Sequence, residues 1–189
     1  MIRLGVLGST NGTDLLPILA AIKDGRLDAS VELVVSNNKK ALILEKARKH
    51  SVDSFFVDHK NKSRVSFDKE ISERLKEKGV DLILLIGFMR ILSDVFVSEW
   101  NGKIINVHPS LLPKYAGGMN EDVHKQVLRS GDKETGCTVH LVTAQVDEGP
   151  ALVQKKCSVL EGDTVDSLKE KVQKLEGEAL VEVIQGWKK

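Results

Sequence analysis

Asn106 and His108 stand two residues apart in Ile104-Ile105-Asn106-Val107-His108-Pro109-Ser110-Leu111-Leu112-Pro113, a β-branched run that enters a proline-bracketed turn. In an extended chain, alternate residues share a face, so the primary amide and the imidazole point the same way. The amide offers two donors and the imidazole one or two, which suits the pair to holding a negatively charged oxygen. A strand-end Asn and His can equally satisfy neighbouring backbone groups, and only the surrounding sequence can choose between these readings.

Three other stretches carry chemistry. Gly8-Ser9-Thr10-Asn11-Gly12-Thr13-Asp14 joins an apolar strand to a helical pattern, and the free amides and dipole of a helix start favour an anion such as phosphate. Its spacing is neither G-x-G-x-x-G nor G-x-x-x-x-G-K-[ST], so an ordinary capped turn stays equally open. The next strand ends in Ser36-Asn37-Asn38 rather than in the acidic residue of a nicotinamide site. Gly87-Phe88-Met89-Arg90-Ile91-Leu92 leaves the most apolar strand, where open α/β sheets bind ligands, although its apolar side chains could simply fill core. Gln145-Val146-Asp147-Glu148-Gly149-Pro150 is a turn holding two carboxylates. Arg64 begins a helix and opposes its dipole, so it reaches into solvent or meets an anion. His124 reads as a surface residue of a helix over residues 121–129, and the glycines before it make a loop that covers a ligand or merely connects.

These residues must be positioned by strands over residues 2–7, 31–35, 54–57, 80–86, 135–143 and 151–159, besides the one that opens at Ile104. Between them lie helical patterns over residues 15–22, 40–50, 63–79, 93–100 and 121–129, and a last one beyond Thr164. Strands alternating with helices predict one α/β domain, residues 1–189, with a mainly parallel sheet. Any antiparallel part would be the two strands flanking Asp147.

The bulk composition narrows the partners. A chain of 189 residues is long enough to bury roughly two-thirds of its unfolded surface. With 28 basic and 27 acidic residues, a net charge of +1 and no long block of one sign, it carries no nucleic-acid or membrane footprint, so small molecules are the expected partners. Cys137 and Cys157 lack zinc-site spacing and read as buried thiols of a reducing cytosol. No targeting pattern is evident, and the run Leu82 to Ile86 is far short of the roughly 20 residues a membrane span requires.

Taken together, GFMRIL, INVHPSLLPKY, GCTVHLV and VDEGP, in this order, resemble the glycinamide ribonucleotide formyltransferases of the folate-dependent formyltransferase superfamily. The resemblance covers nearly the whole chain, and HPSLLP with the later D-x-G-P is its most specific part. It implies a Rossmann-like three-layer α/β sandwich with a mainly parallel twisted sheet, antiparallel toward the C-terminal strands. It also implies a cytoplasmic enzyme of purine biosynthesis that uses 10-formyltetrahydrofolate as co-substrate and no metal, with monomer and homodimer both open. By that resemblance Asn106, His108 and Asp147 are catalytic, with Asp147 keeping His108 charged. Gly12, Thr13, Asp14 and Arg64 would hold the substrate phosphate. Pro109, Gln173 and Glu176 would contact the rest of that substrate. Met89, Arg90, Ile91, Leu92, Val97, Ile104, Val142 and Thr143 would line the folate pocket. Asp14 stands where an Asn is common in the family, and a carboxylate beside a phosphate is unfavourable unless its backbone amide makes the contact. Two rivals remain: a formyltetrahydrofolate hydrolase, which would not need an anion loop, and a non-catalytic sensor, which would not need Asn106, His108 and Asp147 together.

Overall fold

The computed structural model describes residues 1–117 and 122–188. In chain order the elements are β1 (Ile2–Leu7), α1 (Leu15–Lys23), β2 (Ala29–Ser36), α2 (Leu42–Lys49), β3 (Ser54–Phe56), α3 (Arg64–Glu77), β4 (Leu82–Leu85), α4 (Asp94–Glu99), β5 (Ile104–His108), α5 (Val123–Ser130), β6 (Glu134–Leu141), β7 (Ala151–Ser158) and α6 (Val165–Gly186). The seven strands form one sheet in the order β3-β2-β1-β4-β5-β6-β7. Pairings from β3 through β5 are parallel, whereas β5 with β6 and β6 with β7 are antiparallel. The expected α/β sandwich and its antiparallel C-terminal strands are both present.

Alternating side chains divide the core into two layers. Leu4, Val6, Leu82, Leu84 and Ile105 pack with Leu15 and Ile18 of α1 and Leu180 and Ile184 of α6. Leu33, Ile83 and Ile104 face the other way, against Phe67 and Ile71 of α3 and Phe96 of α4. Helix starts follow their caps: Ser63 Oγ accepts from Ser66 N at 3.1 Å, Ser93 Oγ from Phe96 N at 3.3 Å, and Thr164 with Ser167 forms a capping box. Asp122 caps α5 in the same manner, so that helix begins at Val123, while Gly118, Met119, Asn120 and Glu121 of the expected loop and helix start lie outside the described residues.

The chain runs β1 to β2 to β3 in one direction, then returns to place β4 on the other side of β1. This switch leaves a crevice at the carboxyl ends of β1 and β4, where an open α/β sheet binds its ligand. The glycine-rich loop and the loop after β4 meet there, because Ser9 N donates to Gly87 O at 3.0 Å and Met89 N to Ser9 Oγ at 2.8 Å. No helix among the described residues is long and apolar enough to cross a membrane.

Candidate active site

A cavity of about 440 Å³ occupies the crevice. Its walls take in Gly12, Thr13 and Asp14, then Met89, Arg90, Ile91, Leu92 and Val97. Asn106 and His108 line it from β5, Pro109 from just beyond that strand, Val142, Thr143 and Asp147 from the segment after β6, and Gln173 and Glu176 from α6. Two expected lining residues are absent from these walls. Ile104 shares the face of Asn106 but lies one pleat deeper, 1% exposed within the core against α3 and α4. Arg64 is exposed at the start of α3 and takes no part in the lining.

Antiparallel pairing of β5 with β6 assembles the polar centre. It sets Asn106 opposite His140, and Asn106 Nδ2 lies 3.1 Å from His140 Nε2. His140 Nδ1 faces the carbonyl of Leu141 at 2.9 Å. The turn after β6 then returns Asp147, with Oδ2 3.4 Å from His108 Nδ1 and Oδ1 3.6 Å from His140 Nε2. Sequence reading placed His140 on a strand but gave it no role. Only the β5–β6 register could have found it.

The Asp147 carboxyl stays below its ordinary value. Burial works to raise it and is outweighed by His140, the Gly117 amide and the His108 charge. His108 corrects the expectation that Asp147 keeps it charged. Burial lowers its pKa by more than Asp147 and the Tyr115 carbonyl raise it, with His140 adding to the lowering, so the imidazole loses its proton more readily than a free one. Both ring nitrogens are engaged, since Nε2 also faces Tyr115 O at 3.0 Å.

Gly149 fixes the Asp147 turn by close approach. A Cβ there would lie 1.7 Å from the Leu141 carbonyl oxygen, backbone that cannot step aside. Gly149→Ala is therefore expected to displace the turn and lower kcat about 100-fold, as a shift near 1 Å at a reacting group can. Steady-state kinetics on folded protein checks this, and unchanged turnover would remove the turn from the account.

At the other end of the cavity, Asp14 and Glu176 are each 7% exposed. Burial pushes Asp14 from 3.8 up to about 7 against the pull of Lys46, and Glu176 from 4.5 up to about 8 with help from the Asp14 charge. The departure at Asp14 thus places a carboxyl that is only partly ionised near neutral pH, rather than a full negative charge, where an anion would sit. Both folded values exceed the unfolded ones, so the fold binds more protons than the unfolded chain. The stability these two carboxyls contribute is fully present below about pH 4 and is lost as pH rises through about 7–8. Asp14→Asn is accordingly expected to melt higher than the parent at pH 8 and nearly the same at pH 4, by about 2–4 °C for each kcal/mol relieved. Equal melting differences at both pH values would contradict the buried charge.

The remaining walls are apolar and cationic. Met89 and Ile91 are 49% and 43% exposed, whereas Leu92 and Val97 are rooted in the core. The Arg90 guanidinium lies 4.5 Å from the Phe67 ring centroid. Lys169 lines the cavity one helical turn before Gln173, a cation the sequence reading passed over. His124, expected on the surface, is 6% exposed, because α5 turns it inward beside the small cluster of Val123, Val127 and Leu168. Cys137 is buried and its thiol is pushed up to about 12 by burial, while Cys157 is only half-buried.

A family model for formyl transferase matches residues 2–184. The chain belongs to the formyl transferase family. It is 38% identical to the phosphoribosylglycinamide formyltransferase of Escherichia coli over 96% of this chain and 84% of that protein. It is 44% identical to the trifunctional purine biosynthetic protein adenosine-3 of Drosophila melanogaster over 92% of this chain, spanning 13% of that much longer relative. Among solved structures, glycinamide ribonucleotide transformylase 1 from Symbiobacterium toebii superposes with a TM-score of 0.93 at 42% identity, covering 98% of this chain and 86% of that one. The apolar half of the cavity has the character of a site for a largely apolar organic ligand.

Proposed function

We propose that this chain transfers the formyl group of 10-formyltetrahydrofolate to the amine of glycinamide ribonucleotide, as the names of its bacterial relatives suggest. The observation that carries the reading is the convergence of Asn106, His108 and Asp147 in one cavity, between an anion loop and an apolar wall. In this reading the amides of Thr13 and Asp14 hold the phosphate, with Lys169 rather than Arg64 as the cation, and Gln173 and Glu176 take the ribose and glycinamide. The reduced folate lies against residues 89–92, Val97, Val142 and Thr143, next to Pro109.

The amine attacks the formyl carbon, and the carbonyl oxygen becomes the alkoxide of a tetrahedral intermediate. Asn106 and His108 donate to that oxygen, so His108 must turn its Nδ1 proton toward it instead of toward Asp147, while the Tyr115 carbonyl keeps Nε2. The developing negative charge itself favours protonated His108, which offsets the effect of burial. Asp147, ionised at neutral pH, accepts the proton leaving the amine, directly or through water. The proton returns to the folate nitrogen as the carbon–nitrogen bond to the formyl group breaks. No side chain is acylated.

The test is a spectrophotometric assay of folate deformylation, with formate measured in parallel. Deformylation that depends on glycinamide ribonucleotide, with no formate released, is the expected result. Equal deformylation without the ribonucleotide, with formate appearing, would make the chain a hydrolase.

A further inference from the structure

Among the described residues, four non-glycine positions have positive φ: Ser51, Asn61, Tyr115 and Asp147. Tyr115 and Asp147, with φ of 61° and 58°, hold the two nitrogens of His108. A left-handed backbone is uncommon outside glycine, and especially so for a bulky aromatic residue, so surrounding contacts must impose it.

For Tyr115 those contacts are visible. Its hydroxyl donates to Asp132 Oδ2 at 2.9 Å, and Lys114 Nζ lies 3.0 and 3.2 Å from the two oxygens of the same carboxylate. Ser110 Oγ donates to the Lys114 carbonyl at 2.5 Å, and the Tyr115 ring packs on Val123, Val127 and Leu168. Asp132 follows Gly131, whose left-handed conformation ends α5 and turns the chain back toward this turn. The result is a Tyr115 carbonyl pointing at His108 Nε2.

We infer that Tyr115 and Asp132 are positioning residues for His108: the Asp132 carboxylate holds the Tyr115 phenol and thereby aims the Tyr115 carbonyl at Nε2 of the imidazole. The carbonyl accepts only, so it fixes a proton on Nε2 and leaves Nδ1, which faces Asp147, to present one to the developing oxyanion. Asp132 itself does not line the catalytic cavity and touches none of Asn106, His108 and Asp147 among the contacts described. This inference rests on the proposed role of His108.

The other groups facing His108 are Asp147 from the turn after β6 and His140 on β6. Neither is altered in Tyr115→Phe or Asp132→Ala. Both variants are expected to lower kcat about tenfold with little change in either KM, because orientation is lost but binding is not. Asp132→Asn still offers the phenol an oxygen and should recover most of the turnover. The limb of the kcat profile that disappears in His108→Ala should move to lower pH in Tyr115→Phe, since the carbonyl contact favours the protonated ring. A tenfold loss that follows the fraction of folded protein, with the limb unmoved, would overturn the inference, as would full turnover in both variants. If His108→Ala were itself fully active, the proposed site would fail first, and that outcome is recognised without either positioning variant.

Discussion

Asp147→Asn is expected to lower kcat by about 10²–10⁴-fold, the range of a general acid–base group, with little change in either KM. The substitution isolates charge from shape. Asn keeps an oxygen that can accept from Gly117 N, now 2.8 Å from Asp147 Oδ2. Asn also tolerates the left-handed backbone at this position, where φ is 58°, better than most residues do. What disappears is the anion between His108 and His140. The proton of the attacking amine then has no charged acceptor, and His108 becomes harder still to protonate because an attraction that raises its pKa is gone. Single-turnover and steady-state kinetics of the variant decide the matter. Turnover near that of the parent would remove Asp147 from proton handling.

Asn106→Ala should cost about 10²–10³-fold in kcat, the usual loss when one donor to a developing oxyanion is deleted. The fold should survive, because Asn106 is half-buried in the cavity wall and its neighbours Ile105 and Val107 keep their core contacts. His140 loses its Asn106 partner but retains the Leu141 carbonyl at Nδ1 and Asp147 near Nε2. If Asn106→Ala instead raised KM for the folate alone and left kcat intact, the amide would be a binding group and not an oxyanion donor.

Much of the architecture was legible because its signals are short-range. The apolar runs at residues 2–7 and 80–86, the helix caps Ser63, Ser93 and Thr164, and the β-α alternation all report local periodicity and capping. The catalytic candidates Asn106 and His108 were legible for the same reason, since alternation within one strand places both on one face. The corrections of position all concern what an element packs against. Ile104 obeys the same alternation as Asn106, yet it sits below the floor of the cavity because α3 and α4 cover that face. Arg64 begins a helix as expected, but α3 packs on the layer opposite α1, and Arg64 stays exposed outside the cavity walls. His124 looked like a surface residue until α5 lay against α6.

Asp147 as the catalytic carboxylate came only from the family resemblance; by itself, the sequence determined the α/β class, the order of its elements, the loops able to carry ligand chemistry and the shared face of Asn106 and His108. These follow from periodicities and turn residues spanning a few positions. Only the tertiary structure decided that β6 returns antiparallel beside β5, which brings His140 opposite Asn106 and Asp147 within 3.4 Å of His108. It also decided the protonation behaviour, raising Asp14 and Glu176 while lowering His108. Those outcomes depend on distances and burial between residues far apart in the chain, and no local pattern encodes them.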